Sequence, residues 1–551
     1  MNERRHDLDA LRAGAMLLGI VLHAALAYTG IPIWPTVDDA WPPFMEINNI
    51  IHGFRMPLFF LLSGFFTAML WKRRGLGGLL VHRVKRILLP LVVGMFTIIP
   101  LTWVAIVISD GGGKKDGPKS SDSLWAAAAF GDLEEIDRFL AEKPDVNAQD
   151  PFMRQTALGW ACNTGQPQAV AKLLEAGADP NQRYGNEGKD TALHSAVFFG
   201  RGECTALLIE AGADQNARNP TGERPVDLLK HDLDVVQYFA GMLKVPVEPQ
   251  AWKEGRKRAK QLLDTNEPPF STDASKAAPA ASEINLEPLI AGLFLLPVFH
   301  HLWFLWHLCW LVLGFALVRL AFKVLPKLPN LPAWLVASPV ALVWMVPLIL
   351  PFQLQMHGGS MAGWGPDTSI GLLPFPHLLV YEFIFFMAGA LIYLTPRASE
   401  RFGNLWWLTG GLAIAAYLME PTTHMQFALQ QTVYVWTCIF AAVGLCRSVL
   451  AEERSWVRQI SEASYWLYLT HLPVVMVLQH FFAQTNLDPI LKFSLITLFT
   501  TVGLYLPWQY IFKRTIVGRL LIGGPKATPP HLPQTGKNRS FRKRLLCRQL
   551  V

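Results

Sequence analysis

Apolar runs of about 20 residues, the length that crosses a hydrocarbon core, recur along this chain. They fall at roughly 10–29, 50–70, 87–108, 302–322, 332–352, 376–395, 404–420, 428–446, 464–483 and 492–512. Each predicts a helix, because a backbone in lipid has to satisfy its own polar groups. The polar residues between the runs carry a sign pattern. Arg4 and Arg5, Lys72 to Arg74 with Arg83, Lys85 and Arg86, then Arg319, Lys323 and Lys327 fall on one side of alternate spans. Arg397 and Arg401, Arg447, Arg454 and Arg458, then Lys513, Arg514 and Arg519 continue on that side. The intervening loops 30–49, 353–375, 421–427 and 484–491 contain no Lys or Arg. That is a positive-inside pattern for about ten spans with both termini cytoplasmic. The shorter stretch 286–299 would invert every later loop if counted, so it is taken as re-entrant or interfacial.

Residues 109–285 break this rhythm with a charge-rich section that repeats internally. "DSLWAAAAFGD", "TALGWACNTGQ", "TALHSAVFFGR" and "RPVDLLKHD" begin at Asp122, Thr156, Thr191 and Arg224, a period close to 33 residues. The pattern resembles the ankyrin repeat, with "TALH" at the TPLH position and Gly177 and Gly212 ending second helices. The degenerate first and truncated fourth copies suit terminal caps.

Composition sharpens the class. Of 551 residues, 51% are hydrophobic and 17% charged, far from a soluble average. The net charge of +7 sits in short clusters beside apolar runs, which points to membrane orientation and away from nucleic acid. The six cysteines, Cys162, Cys204, Cys309, Cys438, Cys446 and Cys547, form no C-x-x-C pair, so neither a disulfide scaffold nor a zinc site is indicated. The uncleaved first span is preferred over a signal peptide because Asp7, Asp9, Arg12 and His23 interrupt it.

Those intramembrane polar residues carry the candidate chemistry, since ionisable groups in a span need a reason. Arg12 and His23 are eleven residues apart, within roughly 20° of one another on the helix face and ~16 Å apart along its axis. A neutral imidazole is suited to taking a hydroxyl proton near pH 7. Asp7 and Asp9 lie ~20 Å or more below His23, so an orienting partner has to come from another span, with Glu382 the candidate. Arg55 falls at the predicted outer end of the second span, placed to bind an acidic acyl group or glycan or to pair with Glu46. No G-x-S-x-G elbow is present, and Ser63 is taken as a small packing residue.

Motifs in one order carry a wider resemblance: "LDALRAGAMLLGIVLHA", "FRMPLFFLLSGFF" at 54–66, "RVKRILLP" at 83–90, "HHLWFLWHLCWL" at 300–311 and "ISEASYWLYLTHLPVV" at 460–475. Together they resemble the acyltransferase 3 family of integral membrane O-acyltransferases, most of all its branch that succinylates periplasmic glucans. The resemblance implies a bacterial inner-membrane enzyme moving a succinyl or acetyl type group from cytoplasmic acyl-CoA to a hydroxyl of a periplasmic or cell-surface glycan. His23 is then the general base, with Arg12 beside it as the second catalytic candidate. Arg83 and Arg86 are the acyl-CoA-binding candidates, and Arg55, Glu382, His301 and His471 the substrate-binding ones. Acyl-CoA is a donor substrate; no bound cofactor or metal is expected.

The expected fold is all-α: a polytopic membrane helix bundle with an inserted soluble ankyrin-repeat α-solenoid. Its parts are membrane segments 1–108 and 286–512, linkers 109–121 and 246–285, the ankyrin insert 122–245, and a basic cytoplasmic tail 513–551 on the lipid surface. Parity puts the insert in the periplasm, where it would bind a protein partner or guide the acceptor. The rivals are a proton-coupled transporter using the same His and Arg residues, and a membrane-anchored ankyrin scaffold.

Overall fold

The computed structural model describes residues 5–29, 34–38, 41–110, 120, 123–150, 154–184, 190–219, 222–243, 245–263, 293, 298–321, 331–356, 363–452, 454–515 and 518. Among these there is no β-strand, only isolated bridges at Gln149–Thr156 and Tyr184–Asp190. The chain opens with α1 (His6–Ala25), α2 (Pro42–Arg83) and α3 (Leu89–Asp110), the last two joined by a π turn, Val84–Leu88. The helix α2 is broken at Gly75, whose φ of 67° is open to glycine and strained for other residues. The break follows Lys72, Arg73 and Arg74, where the chain leaves the apolar layer.

After the insert come α12 (Trp303–Ala321), α13 (Ala333–Ala337), α14 (Leu342–Gln353), α15 (Pro376–Leu394), α16 (Ala398–Arg401), α17 (Trp406–Tyr417), α18 (His424–Leu450), α19 (Ser455–Ala483) and α20 (Pro489–Tyr510). Among the described residues seven stretches are long and apolar enough to cross a membrane, and one of them, Pro42–Ser109, holds both the second and third expected spans. Ten full-length spans are not seen among those residues. The expected fifth is broken where Ser338 turns extended before Pro339, leaving Pro339–Gln353, about 22 Å of helix. The seventh starts late, after Leu405 in a left-handed conformation, and its 12 residues reach about 18 Å, short of a ~30 Å core.

Close helix contact in the bundle depends on glycine. A Cβ at Gly64 would lie 1.8 Å from the Phe386 carbonyl oxygen, and one at Gly389 1.8 Å from that of Leu61. The "SGFF" motif is therefore where α2 and α15 touch backbone to backbone. Helices α1 and α19 pair in parallel: Arg12 meets Ser461 and His23 meets His471. Equal direction is what equal parity of the first and ninth expected spans requires. Apolar side chains such as Phe96, Val107, Leu498 and Phe499 stay exposed, as lipid-facing residues do.

The insert forms helix pairs α4 (Leu124–Phe130) and α5 (Leu133–Ala141), α6 (Ala157–Thr164) and α7 (Pro167–Glu175), α8 (Ala192–Phe198) and α9 (Gly202–Glu210). A 3-10 turn, Pro225–Lys230, and α10 (Leu233–Leu243) follow in the fourth copy. Ser123 and Thr156 accept from backbone amides at their helix starts. Successive loops are tied by one side chain each, Asn147 accepting from Asp179 N–H and Asn181 from Asp214 N–H, at 2.8 and 2.6 Å. The expected linker 246–285 needs correction: α11 (Pro249–Leu262) is part of the stack. It buries Trp252 and Ala259, and Gly255 packs so closely on Gly200 that a Cβ there would meet its carbonyl at 1.7 Å. Residues 264–285 of that linker, 111–119, nearly all of 286–297 and most of the tail lie outside the described residues.

Candidate active site

A cavity of about 50 Å³ opens between α1, α2, α19 and the start of α12, lined among others by Gly19, His23, Arg55, His301, Tyr468 and His471. Four of the residues singled out in the sequence thus meet across segments hundreds of positions apart. Their chemistry follows from hydrogen-bond sense. His471 Nδ1 lies 2.8 Å from Tyr468 O and 3.1 Å from Leu467 O. Carbonyls only accept, so this nitrogen carries the proton and the neutral ring keeps a lone pair on Nε2. That Nε2 is 2.9 Å from His23 Nδ1, which also lies 2.8 Å from Gly19 O. His23 Nδ1 is therefore the donor to both, and its Nε2 is left as a bare acceptor with no hydrogen-bond partner among the described residues. A proton-accepting nitrogen on a half-buried ring beside a cavity is what a general base requires.

The ring is held from outside as well. Trp34 stacks over it, centroids 6.0 Å apart, and donates at 2.9 Å to Gln479 Oε1. Gln479 donates in turn to the otherwise open carbonyls of His23 and Ala24 at 2.9 and 3.2 Å. His301 is turned inward by His300, whose φ is 43°. It donates from Nε2 to Leu469 O at 3.0 Å, leaving Nδ1 buried without a partner.

Other expectations are redirected. Glu382 does not orient His23. It is bound to His307 Nδ1 at 2.8 Å, both side chains almost fully buried, and reaches the cavity only through Trp303, which packs edge-on against His307. Arg12 does not line the cavity. Its guanidinium donates to Ser461 Oγ at 2.8 Å and lies 3.5 Å from Asp9, too far down α1 to touch whatever meets His23. Arg55 does not pair with Glu46, which accepts from Tyr417 OH. Arg83 donates to Thr67 Oγ1 at 2.6 Å, and the Arg86 carbonyl accepts from Tyr465 OH at 2.9 Å. Neither lines the cavity, but both stand beside the segment of α19 that holds Arg12.

Tyr468, Trp34 and Gln479 were not expected. A signal did exist for two of them: Ser461, Ser464, Tyr468, His471 and Gln479 recur at spacings of three, four, three and eight residues along one helix. That stripe faces α1.

These features define a multi-pass membrane protein with a histidine-lined cavity between its helices and an inserted repeat domain. The Acyltransferase domain family matches residues 5–130 and 267–508, and Ankyrin repeats (3 copies) match 124–219. The first match covers more than half of the sequence, and the chain belongs to the acyltransferase 3 family, interrupted by ankyrin repeats. Among curated proteins it is similar to glucans biosynthesis protein C of Escherichia coli strain SMS-3-5 / SECEC, 42% identical over 101 residues. The O1:K1 / APEC and O157:H7 strain EC4115 / EHEC forms are 41% identical over the same length. These alignments cover 18% of this chain and 25% of each relative, so the chain spans about a quarter of the length of the curated relatives it matches.

Proposed function

We propose that the protein is a membrane-embedded O-acyltransferase that moves an acyl group of succinyl or acetyl type from acyl-CoA to a hydroxyl of a periplasmic or cell-surface glycan. The observation that carries this is His23 Nε2, a bare proton acceptor in a cavity, fixed in that tautomer by Gly19 O and His471 Nε2. The family membership supports the reaction class, and the printed name of the relatives supports a glucan as acceptor.

The acceptor hydroxyl hydrogen-bonds to His23 Nε2. As its oxygen attacks the thioester carbonyl, the proton passes to Nε2 and His23 becomes an imidazolium whose Nδ1–H is held by His471 and Gly19. Collapse of the tetrahedral adduct expels the CoA sulfur, which takes the proton, giving an ester and free thiol. Direct transfer needs no acyl-serine intermediate. Arg83 and Arg86 are suited to the donor's phosphates, with Arg12 along the route. The Ser461-to-His471 stripe of α19, about 15 Å long, separates that inner end from the base. The enzyme sits in a bacterial inner membrane with cytoplasmic termini, and its ankyrin module is periplasmic, where it engages a protein partner or guides the acceptor.

Inverted membrane vesicles loaded with linear β-glucan oligosaccharides and supplied outside with labelled acetyl-CoA or succinyl-CoA test the reading. Label is expected in the lumenal oligosaccharide, falling ~10²- to 10⁴-fold in His23→Ala. Undiminished label in that variant would remove His23 as base, and no label from either donor would remove the reaction.

A further inference from the structure

Arg55 is a cation in the wall of this cavity. Among the described residues no carboxylate lies within ion-pair distance of it. Its one side-chain hydrogen bond among those residues is Nη2 to Met56 Sδ at 3.6 Å, and its Nε is buried without a partner. A charged group held this way inside a membrane bundle is costly unless something on the far side of the gap completes it. Its surroundings in the cavity, Met16, Met56, Phe59, Phe304 and the rings of Tyr468, His23, His301 and His471, supply no anion.

Its position relative to the base is set by one residue. Gly19 gives its carbonyl to His23 Nδ1, and Arg55 Nη1 lies across the same glycine so closely that a Cβ would meet it at 2.4 Å. The guanidinium therefore crosses α1 one helical turn, about 6 Å of axis, from His23. A hydroxyl oxygen, a carbonyl carbon and a carbonyl oxygen hydrogen-bonded at each end at about 2.8 Å span roughly 6–8 Å, a length of the same order as that rise. The cavity of about 50 Å³, at ~10–15 Å³ per water-sized group, holds about four non-hydrogen atoms. The reacting C–O of the acceptor and the C=O of the thioester fill it. The further methylenes and carboxylate of a dicarboxylic acyl chain do not fit between His23 and Arg55 as well.

We propose that Arg55 is a catalytic residue that stabilises the oxyanion of the tetrahedral adduct; this rests on the acyl-transfer reading above. When the hydroxyl oxygen bonds to the carbonyl carbon, the carbonyl π pair moves onto its oxygen, and the guanidinium donates to that charge. When the pair returns, the C–S bond breaks and the thiolate takes the proton from His23. A fixed donor aimed at developing charge in a water-poor site is worth ~10²- to 10³-fold in rate. Gly19 is required here because any side chain would displace the guanidinium.

The experiment uses the full chain in the loaded vesicles with acetyl-CoA and with succinyl-CoA. Arg55→Gln is expected to lose ~10²- to 10³-fold in kcat with both donors while the donor KM changes little. Arg55→Lys retains an intermediate rate, and guanidinium ion restores part of the rate of Arg55→Ala. Gly19→Ala, which moves the flexible end of Arg55 and keeps its charge, also lowers kcat. A loss confined to succinyl-CoA would overturn the proposal in favour of acyl-carboxylate recognition, and a rise in KM alone would overturn it in favour of donor binding. Both leave the acyltransferase reading intact, which fails separately if the unsubstituted protein labels no oligosaccharide.

Discussion

The assignment of His471 as the group that positions His23 has a quantitative consequence. In the resting site the Nδ1–H of His23 is shared between Gly19 O at 2.8 Å and His471 Nε2 at 2.9 Å. In the transition state His23 is becoming an imidazolium, so the bond to His471 turns into a charge-assisted one, worth about 1.5–3 kcal/mol. His471→Ala removes that bond but leaves Gly19 O to hold the tautomer. The expected loss is therefore ~10- to 10²-fold in kcat, at 1.36 kcal/mol per factor of ten, less than the loss from removing the base. Initial rates of label transfer at varied acyl-CoA concentration measure it, and the donor KM should stay within about twofold because His471 does not touch Arg83 or Arg86, the arginines proposed to hold the donor. His23→Ala with His471→Ala should be no slower than His23→Ala alone, since one residue acts through the other. Full activity in His471→Ala, or losses that multiply in the double variant, would refute the dyad.

Other outcomes follow from particular contacts. Ser63→Ala should keep near-full transfer, while Gly64→Val, forcing α2 off the Phe386 carbonyl, should lower the melting temperature in detergent and abolish transfer. Lys492 and Asp38 form an ion pair at 2.8 Å with both side chains about 1% exposed. Lys492→Met should destabilise, by at most about 3–5 kcal/mol, because it takes the cation away from a buried carboxylate, and adding Asp38→Asn should recover part of the melting temperature. In the ankyrin module, His194 is buried between Thr191 and the Glu223 carbonyl, and burial chiefly holds its pKa below the ordinary value. The unfolded ring gains a proton as pH falls through about 6.5 whereas the folded ring resists it. Local stability is thus fully present above that pH and declines below it. Hydrogen exchange of peptides from 191–213, corrected for intrinsic rates, should accelerate between pH 7 and 5 in the native chain and lose that pH dependence in His194→Gln.

The linear pattern was sufficient for whatever depends on local chemistry. Apolar run length announced the membrane helices, a period close to 33 residues the ankyrin stack, and an ionisable residue in a span the histidine that lines the cavity. Where local signals conflicted it fell short. The runs at 332–352 and 404–420 are apolar enough, yet Ser338–Pro339 and the left-handed Leu405 shorten the helices, because a backbone break outweighs a hydropathy average. "EGRKRAK" has the charge of a tether, but Trp252, Ala259 and Gly255 on its other face dock it onto α9.

Partnership is the part that only tertiary structure decided. His23 and His471 are 448 positions apart and Glu382 is 75 from His307, so no spacing rule tells which histidine meets His23 and which carboxylate is already taken. Three-dimensional packing set α19 parallel to α1 in one register, laid Arg55 across Gly19 and left its charge unanswered. Sequence determined which residues were costly to place in a membrane. The fold determined which of them answer one another, since the partners and the direction of a hydrogen bond exist only in three dimensions.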